Sequence, residues 1–361
     1  MTETLYLTEL HPDLRRTTVR QWARVVRRTA RTATEFASAL PHDTMRILRP
    51  APALRVQPGA EPAADASRIA LYVHYSPIGQ VSDMVRRQIE LLRRAGFAVV
   101  FISMAPSIPD DDWDAVRRLS ALVVQRENFG LDFGAWHDVL PEVRRRWANP
   151  DELMLVNDSV LGPIHPLEPV IAAMRSGGDG LFGLTENLEG GVHLQSYMLL
   201  ARGQGAVADL MRFLQQMRIS HAKWLVIQRG EIRLARWMRR RGHRVAALFG
   251  YARLVHAVVA DRPERRRLAA SHGRLADLDQ VSDAAATALL YQWPLSPMHH
   301  LWHILATRFG GPFLKTELIL RNPWQMPGVD AWPAVVPPDA PCSVAVIQAH
   351  LATMRRPARD P

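Results

Sequence analysis

The sequence predicts an α/β fold: a mostly parallel sheet flanked by helices, with a helical N-terminal extension and a helix-rich C-terminal part. Three observations predict it. Short apolar runs of strand length recur between residues 68 and 158, and amphipathic stretches of helical length separate them. The run "LMLVNDSVLGP" (153–163) then passes from apolar residues directly into Asn157-Asp158-Ser159 and a Gly-Pro turn. Strands alternating with helices imply βαβ units, and in open α/β sheets ligands bind beyond the carboxyl ends of the strands. Asn, Asp and Ser are also ordinary turn formers that bond their own backbone, so this one segment does not separate a turn from a site.

Taken in order, residues 1–48 read as a helical extension. Val19, Trp22, Val26, Ala30, Ala33 and Ala37 recur at three- and four-residue spacing, with Arg20, Arg24, Arg27, Arg28 and Arg31 mostly off that stripe. Such a cationic amphipathic helix suits packing on its own domain or lying on an anionic bilayer. Residues 49–67 are a Pro/Ala-rich linker. The core, 68–260, holds strands "RIALYVHY" (68–75), "FAVVFIS" (97–103), "ALVVQRE" (121–127) and "ELMLVND" (152–158). Between them lie the helix "VSDMVRRQIELLRRAG" (81–96), stopped by Gly96, and "DFGAWHDVLPEVRRRW" (132–147), with a carboxylate near its positive end. "HLQSYMLL" (193–200) reads as a strand with His193, Gln195 and Tyr197 on one face. Residues 261–333 are helix-rich, and 334–361 form a Pro-rich tail.

Composition bounds the function. A chain of 361 residues, 48% hydrophobic, supports one large or two modest domains. The lone Cys342 excludes an intramolecular disulfide framework and suits a reducing compartment. No apolar run approaches the roughly 18 residues of a membrane span, and the N-terminus lacks a signal-peptide apolar region. The expectation is a cytoplasmic protein, at most peripheral on the inner membrane. The net charge of +10, mostly arginine, favours anionic partners. With only 7% aromatic residues and neither zinc-finger nor RNA-recognition signatures, nucleic acid is disfavoured. The absence of G-x-G-x-x-G and Walker A sequences disfavours a dinucleotide enzyme or a P-loop NTPase.

Several motifs stand in a distinctive order: "RENFGLDFGAW", a strand ending "NDS", "HLQSYMLLARG", "RGEIRLARWMRRRGHRVAAL" and "GGPFLKTELILRNPW". This order resembles the rhamnan synthesis protein F family, glycosyltransferases of bacterial rhamnose-containing surface polysaccharides, over about 69 to 333. It is also similar to the wider GT-A group. That resemblance implies a nucleotide-sugar-binding core at 68–260, with 261–333 completing the site.

The resemblance implies roles for particular residues. Asn128 and Gly130, with Asp132 close behind, match the segment that helps to hold the nucleotide; Asp132 also suits a helix cap. Asn157-Asp158-Ser159 matches the D-x-D-like turn, whose hard oxygens hold Mg²⁺ or Mn²⁺ against a diphosphate. This chain departs from that pattern by offering a single carboxylate there. Glu231, in Gly230-Glu231-Ile232, matches the catalytic base, and His256 matches the histidine that completes a metal site with Asp158. Glu231 equally reads as a first-turn carboxylate favoured by the helix dipole, with Asp179 and Glu186 as alternative bases. His193 and Gln195 suit sugar hydroxyls, or a strand with one solvated face. Lys315 and Arg321 suit the diphosphate, or a solvated strand. His299 and His303, at i and i+4, lack the H-E-x-x-H context of a zinc site and read as a structural helix.

Two functions of different class follow. One is an inverting glycosyltransferase carrying L-rhamnose from dTDP-L-rhamnose to a glycan or lipid-linked glycan acceptor of O-antigen or capsule type. The other is a non-catalytic module that binds anionic glycan or lipid. Binding needs charge alone; transfer needs Asp158, Glu231 and the "ENFGLDFG" loop in one pocket.

Overall fold

The computed structural model describes residues 4–12, 19–48, 54–60, 63 and 65–354, with 19–32, 47 and 54 in backbone only. Twelve strands occur among the described residues: β1 (Thr8–Glu9), β2 (Leu54–Pro58), β3 (Arg68–His74), β4 (Ala98–Ser103), β5 (Leu122–Arg126), β6 (Glu152–Asn157), β7 (Val160–Leu161), β8 (Gly180–Asn187), β9 (His193–Leu194), β10 (Met198–Arg202), β11 (Arg244–Phe249) and β12 (Leu314–Lys315). The main sheet runs β1-β11-β8-β10-β6-β3-β4-β5-β2, with β9 on β8, while β7 and β12 form a separate ribbon.

The strands β3, β4, β5 and β6 pair in parallel. β10 lies antiparallel between β6 and β8, and β11 is parallel to β8. Six strands therefore share one direction, the mostly parallel sheet that the sequence predicts. Helices cover both faces, so β3 and β6 are buried almost throughout and read as continuous apolar runs. The helix Asp83–Arg94 buries Met84, Val85, Ile89 and Leu92; Ser82 Oγ caps it by accepting from the Val85 N–H at 3.4 Å.

The strand order places the site. From β3 the chain adds β4 and β5 on one side, then returns to lay β6 on the other side of β3. The order reverses between β3 and β6, and a crevice at their carboxyl ends is where such sheets take ligands. Two bonds from Asp158 tie these ends together. Its N–H donates to Val73 O at 3.1 Å, and its Oδ2 accepts from the Tyr75 N–H at 2.5 Å.

Four segments differ from the sequence expectation, each through a long-range partner. The N-terminal extension contributes β1 to the sheet edge, and His11 grips the Glu186 carboxylate through its N–H (2.6 Å) and Nδ1 (3.0 Å). Its helix, Val19–Leu48, packs its C-terminal turns on the core. Asp43 accepts from Ser220 and His221, and Arg46 donates to Asp138 at 2.6 Å. The side chains of Val19, Trp22, Val26 and Ala30, with the arginines among them, lie outside the described residues. The linker supplies β2, antiparallel to β5. The tail forms the helix Val344–Met354, whose His350 Nδ1 meets Ser82 Oγ at 2.8 Å.

The fourth departure is at "HLQSYMLL". Between the pairs Glu186↔Leu194 and Gly183↔Leu199, β8 has two residues and its partner has four. The strand is broken by a bulge at 195–198, a device that re-aims side chains beside functional sites. One hydrophobic core runs from Leu10 to Leu351, joining the C-terminal part to the sheet.

Burial holds three histidines uncharged. It lowers the pKa of His74 to about 3 and those of His300 and His350 to about 4. The unfolded chain takes up these protons below about pH 6.5. Their contribution to stability is thus fully present above that value and is lost as pH falls toward the folded pKa values. Between pH 7 and pH 5 the thermal midpoint of His74→Gln should therefore fall less, or rise more, than that of the wild type. An equal change in the two proteins would remove His74 from this account.

Candidate active site

The site is organised around the amide of Asn157, the last residue of β6. Its Nδ2 donates to Asp132 Oδ2 at 2.7 Å and to Ser196 O at 3.5 Å. Its Oδ1 accepts from the Ser159 N–H (3.1 Å) and hydroxyl (2.5 Å). The Ser159 hydroxyl in turn accepts from Lys315 Nζ at 2.9 Å. Ser196, re-aimed by the bulge, donates its N–H (3.0 Å) and its hydroxyl to Glu231 Oε1. Asp132, Asp158, Glu231 and Lys315 are thereby gathered at the carboxyl ends of β3 and β6.

Each is delivered by local structure. Asp132 lies in the first turn of the helix Leu131–Arg146, entered through Gly130 at φ +78°. No side-chain cap bond forms at that terminus, so Asp132 holds Asn157 rather than capping the helix. Gly130 is required by packing, since a Cβ there would lie 2.0 Å from Ile219 Cγ2. Glu231 sits inside a helical run, not at its start: Lys223–Ile227 continues through a π-helical turn, Gln228–Ile232, into Arg233–Arg240. The first-turn dipole reading of Glu231 therefore falls away, and π-turns inside helices are frequent at functional sites. Gly230 allows this run to approach the Asp132 helix, because a Cβ there would lie 2.8 Å from the Phe133 ring. Lys315 arrives on the ribbon, where it pairs with Val160 while the Thr316 N–H donates to Ser159 O at 3.1 Å.

Burial dominates the electrostatics. Asp158 is only 6% exposed, which is not the solvent-facing turn that its sequence suggests. Burial raises its pKa to about 8, opposed by the Tyr75 N–H bond and reinforced by Asp132. Burial likewise raises Asp132 to about 6, with Lys315 opposing and Glu231 adding. The Lys315 ammonium is lowered by burial, while Glu231 and Asp132 favour its charged form. A cleft of about 710 Å³ opens nearby at the ends of β3, β4 and β5, lined by Tyr75, Met104, Gln125, Arg126 and Asn128. A larger cleft of about 850 Å³ lies at the opposite, amino-terminal ends, around Ala66, Gly96 and Phe97, away from the switch point.

The remaining sequence candidates are not bonded to this cluster. Buried His193 bonds Gly191 O through Nδ1 at 2.7 Å. Gln195 bonds Thr185 through both its N–H and its side-chain oxygen. Arg321 is exposed at the end of the helix Thr316–Arg321, where a strand was expected. His256 is exposed on the helix Tyr251–Ala260. That helix follows β11, three strands from β6 and thus roughly 14 Å across the sheet. Asp179 is exposed at the amino-terminal start of β8, and both oxygens of Glu186 are taken by His11 and Tyr251. His299 and His303 fall on separate helices, Pro297–His300 and Trp302–Thr307, facing Glu317 and Glu264. Sequence reasoning missed Ser196 and Tyr75. The signal for Ser196 lay in "HLQSY", where a regular strand placed it on the wrong face.

The turn is a poor match for a divalent cation, because it offers a single carboxylate, Asp158. Asp158 Oδ2, Asp132 Oδ2 and Asn157 Oδ1 are each engaged by a protein donor, and the Lys315 ammonium already stands at Ser159. Among the described residues no group of three His, Cys, Asp or Glu side chains is placed to hold a metal.

The resemblance read from the motifs is borne out: the model of the rhamnan synthesis protein F family matches residues 99–261. That span contains Asp132, Asp158, Ser196 and Glu231, and excludes Lys315. The chain is 28% identical over half its length to the uncharacterised protein y4gN of Sinorhizobium fredii, covering 48% of that protein. It is 26% identical over 56% of its length to the virulence protein VirA of Vibrio anguillarum, covering 64% of that protein. The chain thus spans about half to under two thirds of the curated relatives it matches. A solved structure of a candidate nucleotide-diphospho-sugar transferase from Desulfovibrio desulfuricans aligns with 64% of this chain and 100% of that one. Its identity is 12% and its TM-score 0.31, a likeness that carries no functional argument.

The Gly230–Phe133 contact can be tested directly. Gly230→Ala should cost about 1–3 kcal/mol by overpacking and shift Glu231 away from Ser196. A thermal midpoint equal to wild type would show that the two helices do not meet as described.

Proposed function

We propose that the protein is an inverting glycosyltransferase that moves L-rhamnose from dTDP-L-rhamnose to a bacterial surface-polysaccharide acceptor of O-antigen or capsule type. The observation that carries the reading is the convergence of Asp132, Asp158, Glu231 and Lys315 at the switch point, beside an open cleft. The family match over 99–261 supports nucleotide-sugar transfer, and the resemblance to rhamnan synthesis proteins supports the sugar.

In this reading the nucleotide enters the cleft around Tyr75, Gln125, Arg126 and Asn128, with its diphosphate toward Ser159 and Lys315. Glu231 is the base. Ser196 fixes Oε1 by two bonds, and Oε2 has no protein partner among the described residues. That oxygen takes the proton of the acceptor hydroxyl as its oxygen attacks the anomeric carbon. The bond from that carbon to the diphosphate breaks on the opposite side, which inverts the configuration, and the nucleoside diphosphate leaves with the electron pair. Asp132 and Asp158 hold the strand ends and the Asn157 amide in place, and orient the sugar.

Attachment to an anionic membrane surface belongs to the same proposal. Phe36, Leu40, Met45 and Leu48 are exposed on the arginine-rich N-terminal helix, a composition that suits peripheral binding. Among the described residues no helix is long and apolar enough to cross a membrane.

The reading is tested by nucleoside diphosphate release from a panel of sugar nucleotides, with dTDP-L-rhamnose expected to be turned over fastest. Glu231→Gln keeps the bonds from Ser196 but cannot accept a proton. Its kcat should fall by about 10²–10⁴ with donor binding retained. Near-normal turnover by this variant would end the assignment of Glu231 as base.

A further inference from the structure

We infer that Lys315 takes the place of a divalent cation in this site, so that the protein binds nucleoside diphosphates and transfers sugar without a metal. The inference rests on the proposed transferase reading and deepens it. It starts from the ribbon. The residues that follow the Asn157-Asp158-Ser159 turn form β7, and β7 pairs with β12 in the register Val160↔Lys315 and Leu161↔Leu314. The Thr316 N–H donates to Ser159 O at 3.1 Å, so both strands are fixed at the turn itself. The Lys315 ammonium is thereby held 2.9 Å from Ser159 Oγ by backbone pairing rather than by a mobile loop.

The turn has no second carboxylate to give a cation. Ser159 stands at its far position, and its hydroxyl is already shared between Lys315 Nζ and Asn157 Oδ1. Mg²⁺ demands a near-octahedral set of oxygens, and here Asp158 Oδ2, Asp132 Oδ2 and Asn157 Oδ1 already accept bonds from the protein, with the Lys315 ammonium standing at the turn. An ammonium needs no such shell. It carries three donors and a full positive charge, and one donor is used on Ser159. The other two are available to the diphosphate oxygens as the bond to the anomeric carbon breaks. The leaving group departs with the bonding electrons, its new charge is met by the ammonium through hydrogen bonds, and no proton need move. Burial lowers the Lys315 pKa, and the Glu231 and Asp132 carboxylates beside it oppose that shift.

Calorimetric titration of dTDP and UDP into the full chain tests this, first in EDTA and then in Mg²⁺ or Mn²⁺. The expected result is binding in EDTA that metal does not strengthen. Lys315→Met should weaken binding by at least about tenfold, as loss of a charged hydrogen bond does, whether or not metal is present, and Lys315→Arg should restore part of it. Binding that appears only with Mg²⁺ or Mn²⁺ would overturn the inference and leave the transferase reading standing. Wild-type affinity in a folded Lys315→Met variant would do the same. No binding of either nucleotide by the folded wild type, in EDTA or in metal, would overturn both.

Discussion

The site depends on one neutral side chain, the Asn157 amide. An amide is donor and acceptor at once, and here each end is used. Its nitrogen holds the Asp132 carboxylate and the Ser196 carbonyl, while its oxygen holds the Ser159 N–H and hydroxyl. Four segments distant in sequence are joined through it: the helix from Leu131, the end of β6, the 195–198 bulge and, by way of Ser159, the ribbon that carries Lys315. A carboxylate at this position would face Asp132 and adjoin Asp158, placing three like charges in a poorly solvated space. Coulomb repulsion rises steeply as the local dielectric falls. The amide supplies the same reach without the charge.

The remaining carboxylates show how the fold tolerates what it keeps. Asp158 is spent largely on structure, since its Oδ2 closes the gap between β3 and β6 by taking the Tyr75 N–H. With its pKa near 8 and that of Asp132 near 6, each raised first by burial, the pair does not present two full negative charges at neutral pH. A diphosphate approaching Lys315 therefore meets a milder field than the residue types suggest. Glu231 differs from both. It is half-buried and held through one oxygen by Ser196, on the bulge rather than at the strand ends.

Much of the fold was legible because it is written locally. The strands at 68, 97, 121 and 152 and the helices at 81 and 132 are apolar runs and amphipathic stretches, and the structure places each within a residue or two, while the helix Asp110–Leu119 went unread. What the sequence concealed is set by partners far along the chain. β1 and β2 exist because β11 and β5 offer open edges. A regular alternation through "HLQSY" assumes an unbroken strand, and only the register against β8 exposes the two extra residues that turn Ser196 inward. Glu231 looked like a helix start because Gly230 precedes it, yet that glycine is there to admit the Phe133 ring. Of the candidate site residues, the "NDS" turn, Asp132, Glu231 and Lys315 converge, while His256 and Arg321 lie on exposed surfaces elsewhere. The former share the switch point; the latter were placed by motif order, which carries no information about distance.

The ribbon explains why the C-terminal part packs as it does. A closure between residues 160 and 315 carries an entropic cost that grows only with the logarithm of loop length, and the core continuous through Leu290, Trp302, Phe309 and Leu318 offsets it. Had the cationic group come from a nearby loop, its reach would have varied with that loop's motion. Set on β12, it is fixed by the strand that leaves the site, so the turn that orders Asp158 also orders Lys315. The two halves of the charge arrangement then cannot shift independently, because the backbone of residues 157–161 belongs to both.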